Sequence, residues 1–187
     1  MVSTSRHRAC THRRLFLKGL STLPLALPFA SAHAATDRHL AFRHTHTAER
    51  LDTLYRNRNG YVEPALRNLN RLFRDFRTGE IARIDPRLYD ILHALSVTCG
   101  GGTFEIISGY RSPKTNKMLR RTGGGGVAKR SLHMDGKAVD VRLVGCDTAR
   151  LRDAALALGA GGVGYYPDSD FVHIDTGPVR SWGPKTA

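Results

Sequence analysis

The sequence predicts an α+β fold, a small antiparallel sheet with helices packed on it. Three observations lead there. Apolar residues recur at three- and four-residue spacing mainly in the first half, alternate at two-residue spacing mainly in the last third, and show no internal repeat. The 187 residues amount to about one domain with a short appendage. With 41% hydrophobic and 7% aromatic residues the chain is globular rather than disordered or fibrous. No apolar run reaches the ~18 residues of a membrane span. Three cysteines are too few for a disulfide scaffold and lack zinc-finger spacing.

The elements follow in order. Residues 40–46 alternate, with Leu40, Phe42 and His44 on one face, and predict a strand. Residues 51–55 are its expected hairpin partner, turned through residues 47–50. A helix is expected from Glu63, with Pro64 tolerated in its first turn; Leu66, Leu69, Leu72, Phe73 and Phe76 form its stripe. Asp85-Pro86 reads as a cap and a first-turn proline, opening a helix with Leu88, Ile91, Leu92 and Leu95 buried. Glycines after Cys99 end it. Residues 103–107 read as a buried strand, and Ser112-Pro113 opens a short basic helix to about Arg121. Four consecutive glycines at 123–126 predict a loop, either a flap over substrate or a plain linker. Residues 137–143 form a strand, with Ala138, Asp140 and Arg142 alternating against Val139, Val141 and Leu143. A helix over 147–158, capped by Gly159, precedes two strands at 162–166 and 171–175, turned at Pro167.

The net charge of +13 divides unevenly. Residues 1–34 hold Arg6, Arg8, Arg13, Arg14 and Lys18 and no acid, which leaves +8 on residues 35–187. In the first segment a basic stretch precedes an apolar one, and small residues follow, the order of a secretory signal peptide. Arg13-Arg14-Leu15-Phe16-Leu17-Lys18 resembles a twin-arginine export signal. Pro24 and Pro28 interrupt the apolar stretch and suit a removed peptide, with Ala32-His33-Ala34 as the cleavage site. Cys10 lies before the apolar stretch and is not a lipid-anchor cysteine. The expected domain is therefore residues 35–187, in the periplasm, without stable membrane insertion after the signal is removed. Its positive charge favours an anionic partner; export argues against nucleic acid.

In Ser131-Leu132-His133-Met134-Asp135-Gly136-Lys137-Ala138-Val139-Asp140, a histidine follows a glycine-rich loop, and an aspartate lies seven residues later inside an apolar strand. A carboxylate there is costly unless something pairs with it. Phe171-Val172-His173-Ile174-Asp175 again sets polar side chains in an apolar strand. Taken singly, such residues are usually structural, and Arg142 or Arg111 is a sufficient partner for Asp140. Taken together, His133, Asp140 and His173 supply two imidazoles and a carboxylate, a set that suits Zn2+ with a fourth position open for water.

Ser-x-His-x-x-Gly-x-Ala-x-Asp, the upstream Ser108-Gly109-Tyr110-Arg111-Ser112 and the ending from Gly161 through Gly177 resemble the zinc D-Ala-D-Ala carboxypeptidase and endopeptidase superfamily, in its exported murein endopeptidase branch of the MepK type. The resemblance implies a Hedgehog/DD-peptidase type fold and His133, Asp140 and His173 as zinc ligands. It implies that Arg111 holds the substrate carbonyl and its oxyanion, the alternative being a structural salt bridge. The superfamily's general base stands three positions before the last histidine, here Asp170. Strand geometry offers Asp175 as its rival, two residues after His173 and on the same face; Asp170 is preferred as base and Asp175 as the group orienting a histidine. The implied function is a zinc metallopeptidase hydrolysing murein cross-links, D-Ala–diaminopimelate and diaminopimelate–diaminopimelate bonds. The alternatives are a D-Ala-D-Ala carboxypeptidase and a non-catalytic peptidoglycan-binding module. A monomer is expected.

Other residues carry open readings. His44 and His46 share a strand face, but the loop-and-strand set is the better metal site. Glycines 123–126 lack the Lys-Ser/Thr of a phosphate loop. Trp182 either flanks a substrate groove or plugs the C-terminus. Cys99 and Cys146 either pair or do not.

Overall fold

Val139, Val141 and Leu143 enter the hydrophobic core while Asp140, between them, faces the other way, so a single strand separates core from site. The computed structural model describes residues 1–2, 37–122 and 127–184. The expected export signal with its cleavage site and Cys10, and the glycine run at 123–126, lie outside the described residues. In chain order the elements are β1 Arg38–His44, β2 Arg50–Asn57, β3 Gly60–Tyr61, α1 Glu63–Leu72, α2 Pro86–Cys99, β4 Thr103–Ser108, α3 Pro113–Thr122, β5 Ala138–Leu143, α4 Thr148–Leu158, β6 Gly162–Tyr166, β7 Phe171–Asp175 and β8 Arg180–Trp182. Single 3-10 turns occupy Leu132–Asp135 and Pro167–Ser169.

The strands form one eight-stranded sheet in the order β3-β2-β1-β4-β5-β7-β6-β8. The α+β expectation holds, but the sheet is larger than expected and mixed. β1 pairs parallel with β4, and β6 with β8; all other pairs are antiparallel. The long connection through α1 and α2 is what allows β1 and β4 to run the same way.

Helix α2 starts as its sequence dictates. Asp85 accepts from the Arg87 amide at 3.1 Å, Pro86 occupies the first turn, and Gly100 closes the end in the left-handed region. Its stripe of Leu88, Ile91, Leu92 and Leu95 is buried, joined by Phe42 and Phe104 of the sheet, Leu69 and Phe73 around α1, and Leu151 of α4. One carboxylate ties the edge strands to this helix: Asp90 accepts from Arg38, Tyr55, Arg56 and Tyr61. Helix α1 ends earlier than its stripe suggests. Phe76 lies beyond it, in a turn where Asp75 accepts from the Arg77 amide at 2.9 Å.

Candidate metal centre and cleft

The sheet register brings the first two metal-type donors together. Asp140 on β5 and His173 on β7 are direct cross-strand partners. A register shift between Ile106 and Ser108 in β4 turns Ser108 opposite Asp140, so Ile107 and Ser108 both line the cavity above. His133 arrives from the 3-10 turn, which Gly136 closes at φ 64°. A side chain at Gly136 would also place its first carbon 2.2 Å from the Arg83 carbonyl oxygen, so both the turn and the approach of that strand of chain require glycine.

His133 Nε2, Asp140 Oδ1 and His173 Nδ1 lie 2.9–3.3 Å from one another. All three residues are buried, and they form a group able to hold a metal ion. The outer hydrogen bonds decide which atoms face inward. His133 Nδ1 donates to the Gly109 carbonyl at 2.7 Å, leaving Nε2 as a bare lone pair. His173 Nε2 donates to Asp175 at 3.1 Å, which leaves Nδ1 inward. Two imidazole lone pairs and a carboxylate oxygen thus converge, an arrangement that needs a cation or a proton at its centre. Tetrahedral zinc with bonds of about 2.0–2.1 Å would space its donors by about 3.3 Å, so the set fits the ion.

The titration behaviour agrees. Burial opposes charge on Asp140, yet His133, His173 and Arg111 hold its carboxyl well below the usual carboxylate range. Burial lowers the His133 pKa. His173 is raised despite burial, because Asp140 and Asp175 flank it.

Arg111, from the loop after β4, pairs with the outer oxygen Oδ2 of Asp140 and donates from Nε to Ser108 at 2.8 Å. It also lines the cavity above the donors, so the salt-bridge position and the substrate-facing position are occupied by one side chain. Arg142 instead pairs with Glu105 and Asp170.

The two candidate bases fall elsewhere. Asp170 does not reach the donor set. It sits in the left-handed region after the Pro167–Ser169 turn, its side chain 60% exposed, bound to Arg142 at 3.1 Å and Thr148 at 3.2 Å. It lines a separate cavity with Glu105 and Arg142, not the one above the triad. The turn points its side chain toward α4, away from the donor set. Asp175 is fully buried and accepts from His173, Arg180 and the amides of Gly162 and Gly177. Burial opposes its ionisation, but these donors hold its pKa far below the ordinary value. It orients His173 and has no approach to the cavity.

The cavity measures about 700 Å³ and contains His46, Arg77, Arg111, Arg130, Tyr166, Arg180 and Trp182 among its walls. Trp182 flanks the groove: its ring lies 5.0 Å from His173 and its Nε1 donates to the Tyr166 hydroxyl at 2.8 Å. Across the cavity His46 stacks on Phe76 at 4.1 Å. His44 is buried behind it, accepting from the His46 amide, and joins no metal-type group among the described residues. Sequence reasoning missed Arg77 and Tyr166 as cavity residues, and Phe76 as the ring that packs behind His46 and Arg77. An Asp two residues before Arg77 and a Gly at 79 were the available signal for a turn rather than more helix. Cys99 and Cys146 are both buried and unbridged.

The sequence model of the peptidoglycan L,D-endopeptidase MepK family matches residues 32–182. Peptidoglycan L,D-endopeptidase MepK of Escherichia coli K12 is 43% identical over 165 residues, covering 88% of this chain and 90% of that protein. The protein of the same name from Shigella flexneri matches with the same figures. The probable peptidoglycan L,D-endopeptidase MepK of Haemophilus influenzae is 40% identical over 166 residues, 88% of each chain. With the motif loops, the donor set and these matches in agreement, the chain belongs to the peptidoglycan L,D-endopeptidase MepK family.

Proposed function

We propose that this chain is an exported, zinc-dependent endopeptidase that hydrolyses peptide cross-links of peptidoglycan. The observation that carries the proposal is the inward convergence of His133, Asp140 and His173, with both imidazoles oriented from behind, at the floor of a cleft lined by arginines. The relatives are named for L,D bonds. Of the two links the sequence suggests, the diaminopimelate–diaminopimelate bond has that stereochemistry: an acyl group on an L-centre joined to an amine on a D-centre. Cutting it opens the mesh for new strands.

Zinc bound there would supply Lewis acidity to the scissile carbonyl and lower the pKa of a water toward 7. The protein residues do the rest. Gly109 and Asp175 fix the two histidines; Arg111 fixes Asp140, takes the carbonyl oxygen and steadies the negative charge that develops on it. Trp182 and Tyr166 wall one side and exclude water. Twin-arginine export to the periplasm, removal of residues 1–34 and action as a monomer complete the reading, supported by the order of charge, apolar residues and small residues in the sequence. No helix of the described residues is long and apolar enough to cross a membrane.

The test is digestion of purified sacculi with the protein from residue 35, with and without chelator, followed by mass analysis. Cross-linked dimers should fall to monomers, chelator should stop this, and zinc should restore it. Free D-Ala alone would indicate a carboxypeptidase. Sedimentation of metal-loaded protein with sacculi, without fragments, would indicate a binding module.

A further inference from the structure

Four arginines line the cavity over the donor set, and they differ in what they already hold. Arg111 is paired with Asp140 and Arg180 with Asp175. The exposed Arg130 pairs with no carboxylate among the described residues and has no aromatic ring beneath it. Arg77 likewise pairs with no carboxylate among them. Its guanidinium carbon instead lies 4.1 Å from the centre of the Phe76 ring, and Phe76 in turn stacks on His46. The nearby Asp75 is already engaged: Oδ1 accepts from the Arg77 amide at 2.9 Å and Oδ2 from the Ser112 amide at 2.8 Å.

Those same bonds brace the loop that carries Arg77. Asp75 is 1% exposed and ties this turn to the start of α3. The Phe73 carbonyl accepts from the Tyr110 amide at 2.7 Å, and a side chain at Gly109 would place its first carbon 2.5 Å from that oxygen. The turn is thus clamped to the segment carrying Gly109 and Arg111, the contacts that position His133 and Asp140. Arg77 is held at a fixed place relative to the donors, its face covered by an aromatic ring and its edge donors uncommitted. Burial presses its pKa down; Asp75 opposes this in part and the neighbouring Arg111 adds to it. An anion in the cleft would relieve that.

We infer that Arg77 is a specificity-determining residue that binds the free carboxylate next to the scissile amide. This rests on the proposed function. In both suggested cross-links the scissile nitrogen sits on the D-centre of diaminopimelate, and the carbon that bears it also bears a free carboxylate. That anion lies two bonds from the nitrogen and must enter the cleft whenever the carbonyl reaches the donor set. A planar guanidinium braced on an aromatic ring suits a carboxylate better than a mobile ammonium does, through two parallel hydrogen bonds.

The test uses two cross-linked muropeptide dimers, one with this carboxylate free and one with it amidated, and the zinc-loaded protein with Arg77→Gln and Arg77→Lys. Binding is also read on chelator-treated protein through the fluorescence of Trp182, the chain's single tryptophan and a wall of the cleft. Wild type should favour the free carboxylate by about tenfold or more in KM and in binding. Arg77→Gln should abolish the preference by raising KM for that substrate, with kcat within about threefold, and Arg77→Lys should restore part of it. The inference is overturned if wild type treats both dimers alike or if Arg77→Gln keeps the preference. If Arg77→Gln does not fold, Arg77→Lys decides: a preference as strong as wild type's counts against the guanidinium. Hydrolysis of neither dimer by wild type would instead sink the proposed function, and this inference with it.

Discussion

Asp140 shows how one buried carboxylate is made tolerable. One oxygen faces the two histidines and the other faces Arg111, so neither is left unpaired. The residue types of this set were legible because acids and histidines stand out in apolar strands. The placement of Asp170 was not legible, because a three-residue offset says nothing about the turn at Pro167 that swings it toward Arg142. Asp170→Asn should therefore leave kcat within about threefold, where loss of a true base would lower it by ~10² or more; steady-state kinetics on a muropeptide dimer separates the two. Asp175→Asn should keep the fold and weaken zinc affinity by about 10–100-fold, read by competition with a chromophoric chelator. His44 offers a pH test away from the metal. Burial depresses its pKa to about 4, with His46 adding to the effect. Its contribution to stability is therefore present above pH 6.5 and lost as pH falls toward 4. His46 and His93 shift in the same sense. His44→Asn keeps an acceptor for the His46 amide and should flatten the thermal stability profile across that window.

At the scale of elements, the four helices and six of the strands among the described residues were readable from periodicity, apolar runs, first-turn prolines and glycine caps. The two that were not, β3 and β8, have two and three residues and lie at the sheet edges, too short for an alternation to register. The parallel pairings were equally hidden, since strand order is set by how helices cross the sheet and not by local pattern. Phe76 fitted the α1 stripe by spacing, but the Asp75 side chain captured the Arg77 amide and bent the chain first. Gly136→Ala should move the turn bearing His133, because its new carbon would meet the Arg83 carbonyl. It should lower stability by more than about 1 kcal/mol and weaken metal binding together. Leu92→Ala, at a fully buried site on α2, should cost about 2–5 kcal/mol while the folded fraction binds metal normally. Denaturant unfolding with and without zinc distinguishes them.

For the whole molecule, residues 35–187 carry a net charge of +8 and four arginines line the cleft, which suits an anionic polymer. Composition indicated the sign of the partner's charge, whereas the cavity shows where that charge would be read. The central claim is that three side chains, far apart in sequence, hold one ion. Its most direct test is elemental analysis of the purified protein beside His133→Ala and Asp140→Ala after identical dialysis. One zinc per chain in the parent and almost none in either folded variant is the expected result. Equal zinc in all three, or none in an active parent, would contradict it.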